Sequence, residues 1–157
     1  STTYFLKMSN LLINKDSVYF STNMNEFYSL DINNGLTNWI QNVNSSLRST
    51  IIDDMIFSVS DEGYLSIINS NTGEIIRRTD IFSDIKAKKR KKIRATGFIV
   101  GIDKIYVSLS NGKIFIVDIK SGKTISSIKI DNEHISRPFV KNEELFVIKD
   151  NGIIKIQ

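Results

Sequence analysis

The sequence predicts an all-β fold of short antiparallel strands built from one repeated unit, and three observations predict it. An aromatic recurs at Tyr19, Phe57, Tyr106 and Phe146, each within an apolar segment. Eleven residues after the first three stands an apolar residue, then Asp or Asn, then Gly four positions on: Leu30-Asp31 with Gly35, Ile68-Asn69 with Gly73, Val117-Asp118 with Gly122. Six residues after each aromatic stands Asn25, Gly63, Gly112 or Gly152. The aromatics lie 38, 49 and 40 residues apart, and the long middle interval contains an insertion. The underlying period of about forty is that of four-stranded propeller blades. The predicted fold is a β-propeller of about four blade repeats. The blades span 9–43, 48–82, 94–130 and 135–157, and the fourth stops after its third strand. Residues 1–8 read as a stray outer strand and 83–95 as a basic insertion within one domain.

Each blade opens on an apolar segment: Leu11-Leu12-Ile13, Ile51-Ile52, Phe98-Ile99-Val100 and Phe139-Val140. Such runs predict an innermost strand buried on both faces. Next comes a hairpin, such as Lys104–Leu109 with Lys113–Asp118. Its turn falls on the Asn/Gly column, because tight hairpins need positive φ, which Gly adopts freely and Asn tolerates. After the third strand, Asp or Asn with Gly four later predicts a turn whose side chain bonds backbone amides. The fourth strands are Leu36–Val43, Glu74–Ile81 and Lys123–Ile130. No segment shows a sustained helical period with caps, so no helix of length is expected.

The insertion is the anomaly in charge. Lys86, Lys88, Lys89, Arg90, Lys91, Lys92 and Arg94 are seven of the 21 basic residues. Without them, 14 basic residues face 17 acidic ones, a formal charge of −3. The basic isoelectric point thus belongs to one loop, which joins blade two to blade three on the side of the Asp61-Glu62-Gly63 hairpin. It reads as a solvated loop, or as a docking element for acidic protein or anionic lipid. Specific nucleic-acid binding would want interleaved aromatics and a broader basic surface, and neither is visible.

The residues give catalysis little support. There is no Cys, which rules out disulfides and Cys-ligated zinc, and one His, His134, expected in a loop or an interface. The pairs Asp53-Asp54, Asp61-Glu62 and Glu143-Glu144 fall at turns and read as solvated charges. No catalytic, metal-ligating or cofactor-binding residue is assigned, and no cofactor is expected. No apolar run approaches the roughly eighteen residues of a membrane span.

The pattern Asp31-x-x-x-Gly35-x-x-x-Trp39 resembles the repeat of pyrroloquinoline-quinone-like β-propellers. In later blades the Trp column holds Arg77 and Ser126. The ending NEELFVIKDNGIIKIQ and the basic insertion resemble the BamB family of outer-membrane assembly lipoproteins. That resemblance implies eight blades, so the chain is either the C-terminal half of such a ring or a small four-bladed one. It also implies a signal peptide and lipid anchor upstream of Ser1, and a periplasmic location peripheral to the outer membrane. The expected function is a non-catalytic scaffold for inserting β-barrel proteins into that membrane. Its partner would be BamA-like periplasmic domains, with self-association of half-rings as a further partner expectation and the seven basic residues as candidate contacts. The competing reading is a quinoprotein-like enzyme or ligand binder using a central channel. Trp39 is then expected as packing between blades and not as a cofactor platform.

Overall fold

A computed structural model of the protein describes residues 8–22, 24–44 and 47–156. The fold is the predicted one, all-β in successive blades whose strands lie side by side in sequence order. Blade one holds β1 (Leu12–Asn14), β2 (Ser17–Ser21), β3 (Phe27–Asp31) and β4 (Thr37–Gln41). Blade two holds β5 (Thr50–Ile52), β6 (Met55–Val59), β7 (Tyr64–Asn69) and β8 (Ile75–Asp80). A short helix, α1 (Ala87–Arg90), lies in the insertion. Blade three holds β9 (Ala95–Val100), β10 (Lys104–Leu109), β11 (Lys113–Asp118) and β12 (Thr124–Lys129). Blade four has three strands, β13 (Phe139–Lys141), β14 (Glu144–Lys149) and β15 (Gly152–Ile156). The expected outer strand before Ser9 falls on residues 1–7, outside the described residues, and on Met8, which forms only an isolated bridge to Thr22.

The chain divides into two compact units, Ser1–Ser60 with Ser66–Arg78, and Asp61–Leu65 with Thr79–Gln157. In the first, Tyr19, Phe27, Val43, Ile56 and Ile68 are buried together, with Leu12, Trp39 and Ile51 packed against them. The period-two burial of β2 and β3 delivers Tyr19 and Phe27 to this cluster. The Trp39 ring stacks on Phe27 at 6.0 Å and lies tilted to Tyr19 at 5.9 Å. Its indole N–H donates to the Ser70 carbonyl at 2.9 Å. Trp39 is a packing residue that joins blade one to the turn of blade two, as expected. The second unit has an aliphatic cluster of Ile114, Ile135, Val147 and Ile156. Each fully buried side chain of this size contributes about 1.5–3 kcal/mol.

The Asp/Asn turns form as expected. Asp31 Oδ1 accepts the Asn33 amide at 2.8 Å, Asn69 Oδ1 that of Asn71 at 2.9 Å, and Asp118 Oδ2 that of Ser121 at 2.7 Å. Gly35, Gly73 and Gly122 then donate to the carbonyls of Asp31, Asn69 and Asp118, each at 2.8 Å. A β-bulge follows at equivalent points of two blades. Leu30 pairs Thr37 while Ser29 pairs Trp39, and Val117 pairs Thr124 while Ile116 pairs Ser126. The extra residue, Asn38 or Ile125, is a device that the repeat pattern did not disclose.

Two expectations are corrected. The inner strands of blades one, two and four are covered on one face only: Ile13 is 61% and Val140 54% exposed, while Leu12 and Ile51 turn to the core. In blade three the expectation holds, since Phe98 and the adjacent Gly97, which lies against Arg137, are both buried. A short strand alternates its side chains whatever their hydropathy, so an apolar run need not be buried twice. The hairpin column also fails at its last member. Asn25, Gly63 and Gly112 have positive φ, but in blade four Asp150 and Asn151 take that conformation instead of Gly152. The loop between Leu109 and Lys113 has three residues, whereas Lys149 pairs directly with Gly152 across two. The shorter loop moves the left-handed position back by one, and Gly152 becomes the first residue of β15.

Candidate interaction site

The candidate site is the basic insertion, and its starting point is a carboxylate at the end of β8. Asp80 Oδ1 accepts the Phe82 amide at 2.9 Å, which turns the chain and drives the Phe82 ring into the second unit's interior. The ring meets Phe115 edge-on at 5.7 Å and covers Gly63, where an added Cβ would fall inside it. A chain of local bonds then winds the insertion. Ile85 donates to Phe82, Lys89 and Arg90 to Lys86, Lys92 to Lys89, and Ile93 to Arg90.

The intrinsic forces on that helical turn are unfavourable. It has no acidic residue in its first turn and no side-chain cap. Its cations lie three and four residues apart, where like charges repel. Arg90 supplies the tertiary anchor. Its Nη1 donates to Asp80 Oδ2 at 2.6 Å and its Nη2 to the Glu62 carbonyl at 3.5 Å. The guanidinium lies 5.5 Å from the Tyr64 ring centroid and 5.9 Å from that of Phe82, within cation–π range. Bonding to Asp80 raises the Arg90 pKa further, against a smaller opposing effect of desolvation. At the far end Ala95 donates to the Asp61 carbonyl at 2.8 Å, and Ser110 donates to that of Arg94 at 2.9 Å.

The structure therefore separates seven residues that look alike in sequence. Arg90 is half-buried and faces the protein, with 27% of its side chain accessible. Arg94 is exposed, but its Nη1 donates to the Lys91 and Ile93 carbonyls at 3.3 and 2.9 Å. Lys86, Lys88, Lys89, Lys91 and Lys92 are all exposed. The insertion does lie beside the Asp61-Glu62-Gly63 hairpin, as its placement in the repeat predicted. His134 is exposed in the link between blades three and four. Asp53 and Glu143 sit in two-residue turns at positive φ, which fits their reading as turn charges.

That same link carries a second electrostatic feature. Asp131 and Lys149 form an ion pair, and Lys149 also reaches Asp150 at 3.3 Å. Lys149, with the Asn132 amide behind it, holds the Asp131 carboxyl below its ordinary range. Asp131 and Ile130 both donate backbone bonds to the Gly112 carbonyl, at 3.1 and 2.9 Å. The hairpin of blade three is thus tied to the start of blade four through Asp131.

The comparisons with known proteins agree with this architecture. A family model described as outer membrane protein assembly factor BamB matches residues 7–79. No curated protein matches the sequence. Among solved structures, BamB from Moraxella catarrhalis superposes with a TM-score of 0.71 at 18% identity, covering 94% of this chain. The chain spans 41% of the length of that BamB. The computationally designed Ika4 protein superposes with a TM-score of 0.74 at 13% identity, over 98% of this chain and 92% of its own. A europium-containing methanol dehydrogenase gives 0.59 at 18% identity, over 74% of this chain and 23% of its own. Blade repeats, Asp/Asn–Gly turns, the Trp39 column and these likenesses together make the chain a β-propeller fold whose repeats resemble those of pyrroloquinoline-quinone-like propellers and of BamB.

Proposed function

We propose that the chain is a non-catalytic scaffold, BamB-like, that supports assembly and insertion of β-barrel proteins into the outer membrane. It would hold protein partners through its surface loops, with BamA-like periplasmic domains as the partner and the periplasmic side of the outer membrane as its place. The observation that carries this reading is the match of residues 7–79 to the BamB assembly-factor family. That stretch covers blades one and two, where Asp31, Gly35 and Trp39 are ordered as the repeat requires. Binding of the whole chain to purified BamA-like periplasmic domains, followed by titration calorimetry, tests it. Saturable binding is expected, and its absence would remove the reading.

The likeness to methanol dehydrogenase motivates the second reading, a quinone-binding protein. Trp39 argues against it at its own position, since its ring is committed to Tyr19, Phe27 and Gly73 and its N–H to Ser70. Equilibrium dialysis against pyrroloquinoline quinone with calcium distinguishes the two. Stoichiometric uptake would replace the scaffold reading with the enzyme one.

A further inference from the structure

The five lysines of the insertion have no role in packing. None of them forms an ion pair or a side-chain hydrogen bond among the described residues, although acidic groups stand nearby at Glu62 and Asp84. Arg90 pins the turn that carries them, so the charges are held close together at helical spacing instead of spreading apart. Lys88 has Lys91 and Lys92 as its three- and four-residue neighbours, and Lys89 has Lys86 and Lys92. Each such pair repels, and an external anion relieves the repulsion.

We propose that this lysine turn docks on an anionic lipid surface. The kind of cation decides among anionic partners. Planar, bidentate recognition of single carboxylates or phosphates uses the guanidinium fork. Arg90 directs its fork to Asp80 and Glu62, and Arg94 donates to carbonyls of its own loop. Apart from Arg94, whose Nη1 is engaged by those carbonyls, the cations that the insertion exposes are ammonium groups, which are hydrated point charges suited to a diffuse field and depleted from protein–protein interfaces. Residues 83–95 contain no aromatic to stack on bases. The rest of the chain, at −3, would repel a long polyanion that wrapped it. A membrane plane meets only the projecting loop, and salt screens the acidic remainder beyond about 8 Å. A cluster of this size next to an anionic bilayer gains roughly fivefold in partitioning per lysine. The inference goes beyond the scaffold reading and does not depend on it.

The test is co-sedimentation of the whole chain with vesicles of phosphatidylcholine alone and of equimolar phosphatidylcholine and phosphatidylglycerol. Binding is expected to the mixed vesicles only, and it should weaken as salt rises. Lys88→Gln with Lys91→Gln should lose roughly twenty-five-fold. Replacing all five lysines with Gln should abolish binding while circular dichroism and Tm stay those of the parent. Should that variant misfold, the double variant and the salt series decide. Equal partitioning into both vesicle types, unchanged binding by the five-lysine variant, or tighter binding of polyglutamate or duplex DNA than of the vesicles would overturn the proposal. Retained binding of BamA-like domains by a variant that has lost the vesicles separates this proposal from the scaffold reading.

Discussion

Two hairpins of the second unit read alike, Asn111-Gly112 and Asn151-Gly152, and the structure uses them differently. Gly112 has φ +74 and lies against the link to blade four, where an added Cβ would meet the Asp131 and Glu133 carbonyls at 2.5 Å. Gly152 begins a strand, and its nearest obstacle is the Lys149 carbonyl at 3.3 Å. In blade four Asn151, at φ +64, takes the conformation that Gly112 takes in blade three. A shared dipeptide therefore does not fix a turn. The number of residues between the last paired positions does.

Substitution should expose that difference in order. Gly112→Ala should be the most damaging, at about 2–3 kcal/mol in urea unfolding, because a left-handed backbone and a collision with two carbonyls add together. A small effect there would erase the contrast. Asn151→Ala should cost about 1 kcal/mol, since Ala tolerates positive φ less well than Asn, and Asn151→Gly should restore or raise stability. Arg90→Ala should cost about 1 kcal/mol and release the insertion to faster amide exchange, while Lys89→Ala should do neither.

The acid limb tests the link between the hairpins. The Asp131 carboxyl is held below its ordinary range in the folded protein. Its pairing with Lys149 therefore stabilises the fold above the unfolded carboxylate pKa and is lost as pH falls through the lower, folded value. Asp131→Asn should be the less stable protein near neutrality, and its stability should converge with that of the parent in acid. Parallel curves would show that the pair contributes nothing. Smallest of all, Gly152→Ala should stay within about 0.5 kcal/mol.

The sequence disclosed most of the fold because the repeat states its own grammar. Lys104–Leu109 and Lys113–Asp118 were legible to the residue, since apolar alternation and turn residues agree there. The one-sided inner strands of blades one, two and four were less legible, because hydropathy alone does not tell which face a neighbour covers. The left-handed Lys15 and Asp53 of the two-residue inner turns carry no glycine to announce them. In the candidate site the sequence revealed the charge and its place in the repeat, but not its division. Seven cations in nine positions have the same local chemistry, and only the distant Glu62 carbonyl, Tyr64 and Asp80 single out Arg90.

The Asp/Asn–Gly turns have a kinetic consequence. Each closes a loop of only a few residues, and every strand of blade one or three pairs with its neighbour in sequence. Loop-closure entropy is therefore paid in small steps, and local contacts of this kind speed folding. The same economy creates a hazard. Blades with one turn grammar and similar strands can exchange partners during refolding, and repeat proteins misassemble in this way. The departures from the repeat, Trp39 in one blade only and a charged insertion between two others, give otherwise similar blades distinct neighbours, and that distinction counts against docking in the wrong order.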